Sequence, residues 1–153
     1  MSGRHLFLAG LLLLMSMAPL LADDAGEVTL VLVSGSDLGG GQLTPNQLRR
    51  AFFGIPLRLN GHDIRALRNG SDPLLNEIFL QKVVYMSARR YERQLVSLTF
   101  RTGRARPPRF ARRDDLVQAL KTLDDSIAVM WKRNVGQDSG LHIIQTLWKG
   151  HPQ

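Results

Sequence analysis

The segment that most constrains the fold is EVTLVLVSG, Glu27 to Gly35. It is an almost unbroken apolar run, rich in valine. A strand with one wet face alternates apolar and polar residues, whereas a strand covered on both faces does not. The run therefore predicts a strand in the middle of a sheet, with helices above and below. A second run of the same character, SIAVMW (Ser126 to Trp131), lies far downstream and predicts a second such strand.

Between the two runs the sequence is punctuated mainly as helices. In LTPNQLRRAFFG, Thr44 can cap, Pro45 suits the first helical position and Gln47 completes a capping box. Leu48, Ala51 and Phe52 then share a face, and Gly54 can close the helix in the left-handed region. IPLRLNGHDIRALR predicts two strands joined at Asn60-Gly61, the second running to Arg68. NGSDPLLNEIFLQKVVYM predicts a helix capped by Ser71 or Asp72, with Leu75, Ile78, Phe79, Val83 and Met86 inward. Ser87 opens a third helix over Tyr91, Leu95 and Leu98. Asp114 is expected to cap a fourth, with Leu116, Val117, Leu120 and Leu123 inward. KRNVGQDSG reads as a polar loop before a last strand in LHIIQTLW. Strands alternating with helices predict an α/β domain whose central sheet is mixed or mostly parallel and flanked by helices.

The N-terminus bears on the compartment. Arg4, an apolar run from Leu6 to Met15, a break at Ser16 and Pro19, and Ala22 before an acidic stretch have the form of a secretory signal peptide. Residues 1–22 are expected to be removed after Ala22, leaving 23–153 as one domain. The apolar run is too short to span a bilayer, and no transmembrane segment is expected in the mature chain. No cysteine occurs, which excludes disulfides, thiolate metal sites and a lipid-bearing cysteine. A periplasmic location is the simplest expectation. The formal charge is +7, and +6 once Arg4 is removed. There a basic protein meets anionic small molecules, lipid head groups or acidic proteins, and nucleic acid is not expected.

No catalytic constellation emerges. His62, His142 and His151 have no metal-ligand spacing, and no serine sits in a nucleophile elbow. Neither an enzyme nor a metal or cofactor is expected. The most informative short segment is RNGSDP, Arg68 to Pro73, at a junction from strand to helix. One reading is an anion site, with Arg68, the Ser71 hydroxyl and free N–H groups at the helix start as donors. The other is a Ser/Asp-capped helix with a surface arginine beside it.

LTPNQLRRAFFG, RNGSDPLLNEIFL, FRTGRARPP and SIAVMW, in that order, resemble segments of the phosphate-binding substrate-binding proteins of ABC transporters. The closer likeness is to their short periplasmic relatives, and it spans about two thirds of the chain. The resemblance implies a single lobe of a type II periplasmic-binding-protein-like fold. The family's Arg-x-x-Gly-Ser-Gly-Thr loop donates to bound phosphate. Arg68 and Ser71 correspond to it in kind, with Gly70 between them, while Asp72 and Pro73 stand at its glycine and threonine. The resemblance thus implies Arg68, Gly70 and Ser71 as ligands to phosphate or a related oxyanion. In TFRTGRARPPRFARR, with six arginines in residues 99–113, Arg104 and Arg106 are the arginines expected to face an anion. Arg109, Arg112 and Arg113 read as a solvated face. Two functions stay open. One is a solute-binding-protein-like domain for an oxyanion, and the other is a ligand-free module. The module would present its basic surface to an envelope protein, a transporter component or an anionic surface.

Overall fold

The computed structural model describes residues 26–137 and 140–152. The expected signal peptide and its cleavage point lie outside the described residues. Among the described residues, seven strands and five α-helices follow one another, with helices packed on both faces of a central sheet. The strands are β1 (Val28–Ser34), β2 (Leu57–Leu59), β3 (His62–Ala66), β4 (Arg68–Asn69), β5 (Arg109–Phe110), β6 (Ser126–Trp131) and β7 (His142–Gly150). The helices are α1 (Pro45–Phe52), α2 (Pro73–Phe79), α3 (Ala88–Thr102), α4 (Arg113–Thr122) and α5 (Lys132–Val135).

The central sheet runs β2-β3-β6-β1-β7. Two of its three inner strands, β1 and β6, carry the apolar runs. Leu30 to Val33 of β1 and all six residues of β6 are buried. Alternation divides them between two cores. Leu30, Leu32, Ile127, Val129 and Trp131 face Phe52, Leu75, Phe79 and Leu95, on the side of α1, α2 and α3. Val31, Val33, Ala128 and Met130 face Leu116 and Leu120 of α4 and Val135 of α5. The α/β class and the helix-flanked mixed sheet are as expected.

The expectation of a mostly parallel sheet is corrected. β1 pairs antiparallel with β6, Leu32 opposite Val129, and antiparallel with β7. β2 and β3 form an antiparallel hairpin, and only β3–β6 is parallel in this sheet. A continuous apolar run reports cover on both faces, and helices supply that cover whichever way the neighbouring strand runs.

Local chemistry accounts for most boundaries. Thr44 Oγ1 accepts from Gln47 N–H at 3.3 Å, and Gln47 Oε1 accepts from Thr44 N–H at 2.8 Å, which closes the capping box of α1. Asn60 (φ 49°) and Gly61 (φ 87°) make the hairpin turn, because two successive left-handed residues match the strand twist. Asp72, not Ser71, caps α2. The helix expected to reach Met86 instead changes pitch at Leu80–Val84, a π-helical turn that ends at Tyr85 (φ 55°). Leu80, Val83 and Val84 are buried in this turn.

Further corrections concern helix starts and loops. Arg112 occupies the N-cap position of α4 and makes no side-chain cap; Asp114 and Asp115 lie in the first turn, at the positive end of the helix dipole. Leu123 is half-exposed beyond the end of α4. The loop KRNVGQDSG opens with α5. His62 begins β3 and shares a 2.8 Å contact from Nδ1 to Asp125 Oδ1. Among the described residues no helix is long and apolar enough to cross a membrane.

Candidate functional site

The segment after β3 and the segment after α3 meet in a second, two-stranded sheet. β4 and β5 pair in parallel, Arg68 opposite Arg109 and Asn69 opposite Phe110. Arg68 N–H donates to Pro108 O and Gly70 N–H to Phe110 O, both at 2.8 Å. Residues in register on parallel strands turn their side chains to the same side. The pairing thus brings two guanidiniums, distant in sequence, to one cavity of about 310 Å³. Its polar lining comes from Arg68, Asn69, Asn76, Glu92 and Arg109. Its apolar floor is the cluster of Phe52, Phe79 and Tyr91, with Phe52–Phe79 and Phe79–Tyr91 ring centroids 4.9 and 5.9 Å apart, edge to face.

The charges at this cavity are partly matched inside the protein. Arg68 is largely buried: its Nε donates to Pro107 O at 2.8 Å and its Nη1 to Glu92 Oε1 at 2.7 Å. Its Cζ lies 5.9 Å from the centre of the Tyr91 ring. Nη2 of Arg68 and the side-chain amide of Asn76 have no hydrogen-bond partner among the described residues. Arg109 is held only loosely, by a 3.5 Å contact from Nη2 to Gly70 O. A β-carbon at Gly70 would sit 2.5 Å from the Arg109 guanidinium carbon, so glycine makes room for that side chain. Burial pushes the Tyr91 hydroxyl well above its ordinary range, against the opposing pull of Arg68; the hydroxyl donates to Phe52 O.

The residues expected to bind the anion are not all brought together. Arg68 lines the cavity and Gly70 underlies Arg109. Ser71 is turned inward on its own loop: its N–H and its hydroxyl both donate to Asn69 Oδ1, at 3.0 and 2.7 Å. At the start of α2, Asp72 Oδ1 accepts from Leu75 N–H and Oδ2 accepts from Trp131 Nε1–H at 2.7 Å. That helix start is therefore occupied by a carboxylate of the chain itself. Arg106 reaches the cavity rim only through Glu92, at 3.8 Å. Arg104 and Arg106 both line a separate small cleft with Phe53, Gly54 and Leu98.

Arg109, read from the sequence as part of a solvated face, is exposed and also lines the cavity, which that reading missed. Its signal was Pro107-Pro108, whose extended geometry suits the approach to a strand. A two-residue strand shows no periodicity by which to recognise it. Among the described residues no cluster of three His, Asp or Glu side chains could hold a metal ion. Compared with protein families, with curated proteins and with solved structures, the chain finds no match.

Proposed function

We propose that this chain is an exported, periplasmic binding domain for a small oxyanion, phosphate or a close relative. In this reading it is one lobe of a type II periplasmic-binding-protein-like fold, as its ordered likeness to the phosphate-binding proteins suggests. The anion sits in the cavity between Arg68 and Arg109, not on the first turn of α2. The supporting observation is the register of Arg68 with Arg109 at a cavity whose Arg68 Nη2, Arg109 guanidinium and Asn76 amide can still donate. Guanidinium forks suit tetrahedral oxyanions, and the apolar floor lowers the local dielectric and strengthens the attraction. Glu92 offsets one of the two cationic charges, and it favours an oxyanion bearing a proton that the carboxylate can accept.

Calorimetry and thermal unfolding with phosphate, sulfate and pyrophosphate test the reading. A ligand at one hundred times its dissociation constant stabilises the native state by about 2.7 kcal/mol. Arg109→Gln and Asn76→Ala should remove the shift while leaving the ligand-free stability close to that of the parent. The absence of a shift with all three anions at millimolar concentration refutes it.

A further inference from the structure

The outer face of α3 points to a second role, and we infer that it docks the protein on an anionic phospholipid surface. α3 buries Tyr91 and Leu95 against the core. At 100° per residue the opposite side carries Arg89, Arg93, Val96 and Phe100 as one stripe, flanked by Arg90 and Arg101. All six are exposed; Phe100 is 86% exposed and Val96 40%. The only carboxylate on α3, Glu92, is turned aside to Arg68 and Arg106. No Asp or Glu then follows until Asp114, while Arg101, Arg104 and Arg106 extend the cationic field past the helix end.

The chemistry of the stripe selects its occupant. Every cation on it is arginine, whose planar fork binds phosphodiester oxygens in pairs. Val96 and Phe100 provide a narrow apolar ridge along a helix about 22 Å long. A stable protein interface buries about 800 Å² on each side around a packed apolar centre. Two apolar side chains on a convex helix do not provide such a centre. A bilayer needs no matching contour: the phenyl ring enters the headgroup boundary and the flanking guanidiniums remain at the phosphates.

Vesicle sedimentation tests this with the full chain, every variant carrying the same N-terminal segment. The vesicles are phosphatidylglycerol with phosphatidylethanolamine, or neutral phosphatidylcholine with phosphatidylethanolamine. The chain should partition preferentially to the anionic vesicles. Arg89→Gln with Arg93→Gln should lower that partitioning about thirtyfold, at about fivefold per surface arginine. Phe100→Ser should lower it about tenfold, and so exposed a side chain can change without loss of fold. Lys121→Gln with Lys132→Gln removes the same charge from α4 and α5, on the other face of the sheet, and should leave it unchanged. Equal partitioning to both vesicle types overturns the inference and leaves the face to an acidic protein. An equal loss from the lysine pair, or none from Phe100→Ser, likewise overturns it.

Discussion

Asp72 joins three parts of the molecule, and its substitution gives a magnitude that can be worked out in advance. One carboxylate oxygen accepts from Leu75 N–H at 3.1 Å and caps α2; the other accepts from the indole N–H of Trp131 at 2.7 Å. Trp131 is 1% exposed and ends the central strand β6, so its N–H has no water to turn to. Replacing an N-cap aspartate by alanine costs about 1 kcal/mol. Leaving a buried donor without an acceptor costs about 1–3 kcal/mol more. Asp72→Ala should therefore lose about 2–4 kcal/mol, which lowers the melting temperature by about 10–20 °C in a domain of this size. Asp72→Asn keeps one acceptor oxygen and sets an NH2 group against the other donor, so it should lose roughly half as much. Urea unfolding of the single variants and of a cycle with Trp131→Phe separates the two terms. In the Trp131→Phe background only the cap remains to be lost, about 1 kcal/mol. If Asp72→Ala costs the same in both backgrounds, the indole contact contributes nothing and the reasoning fails.

Gly35→Ala places a β-carbon 1.8 Å from the Leu120 carbonyl oxygen of α4, a backbone atom, and should cost about 1–3 kcal/mol or more; an unchanged urea midpoint refutes this. At Gly70 the clash falls on the end of the Arg109 side chain, so Gly70→Ala should leave the urea midpoint nearly unchanged while weakening phosphate binding in calorimetry. Tyr91 ties α3 to the end of α1, and its hydroxyl ionises less readily in the folded chain than its ordinary value of 10.0. The unfolded chain therefore loses that proton first, and the stability Tyr91 contributes is full below pH 10 and declines above it. Subtracting the pH profile of Tyr91→Phe from that of the parent should reveal the decline; parallel profiles refute it.

What the sequence made legible was whatever a few neighbouring residues decide. Thr44 and Gln47 meet within one turn, Asn60-Gly61 sets a hairpin by its own backbone preference, and the runs in β1 and β6 report cover on both faces. Pairing direction was not legible, because both faces of β1 and β6 are covered in either orientation. The candidate site suffered most from this. Its residues were sought along the chain, around RNGSDP, where the local donors are in fact satisfied locally: Ser71 by Asn69, and the helix start by Asp72.

Asn69 followed two residues later by Ser71 is a pattern for a side-chain turn, and that turn could have been anticipated. Arg109 could not, since β4 and β5 hold only two residues each and exist through each other. Six arginines between residues 99 and 113 look equivalent in the sequence. Tertiary pairing separates them: a strand register brings Arg109 opposite Arg68 at the cavity, while Arg104 and Arg106 line another cleft, Arg106 also pairing with Glu92. The prolines complete the connection, because the carbonyls of Pro107 and Pro108 receive the Nε and the backbone N–H of Arg68. A residue type that cannot donate from its backbone thus appears twice where only acceptors are needed, and the arginine-rich loop is held by Arg68 so that Arg109 faces the cavity.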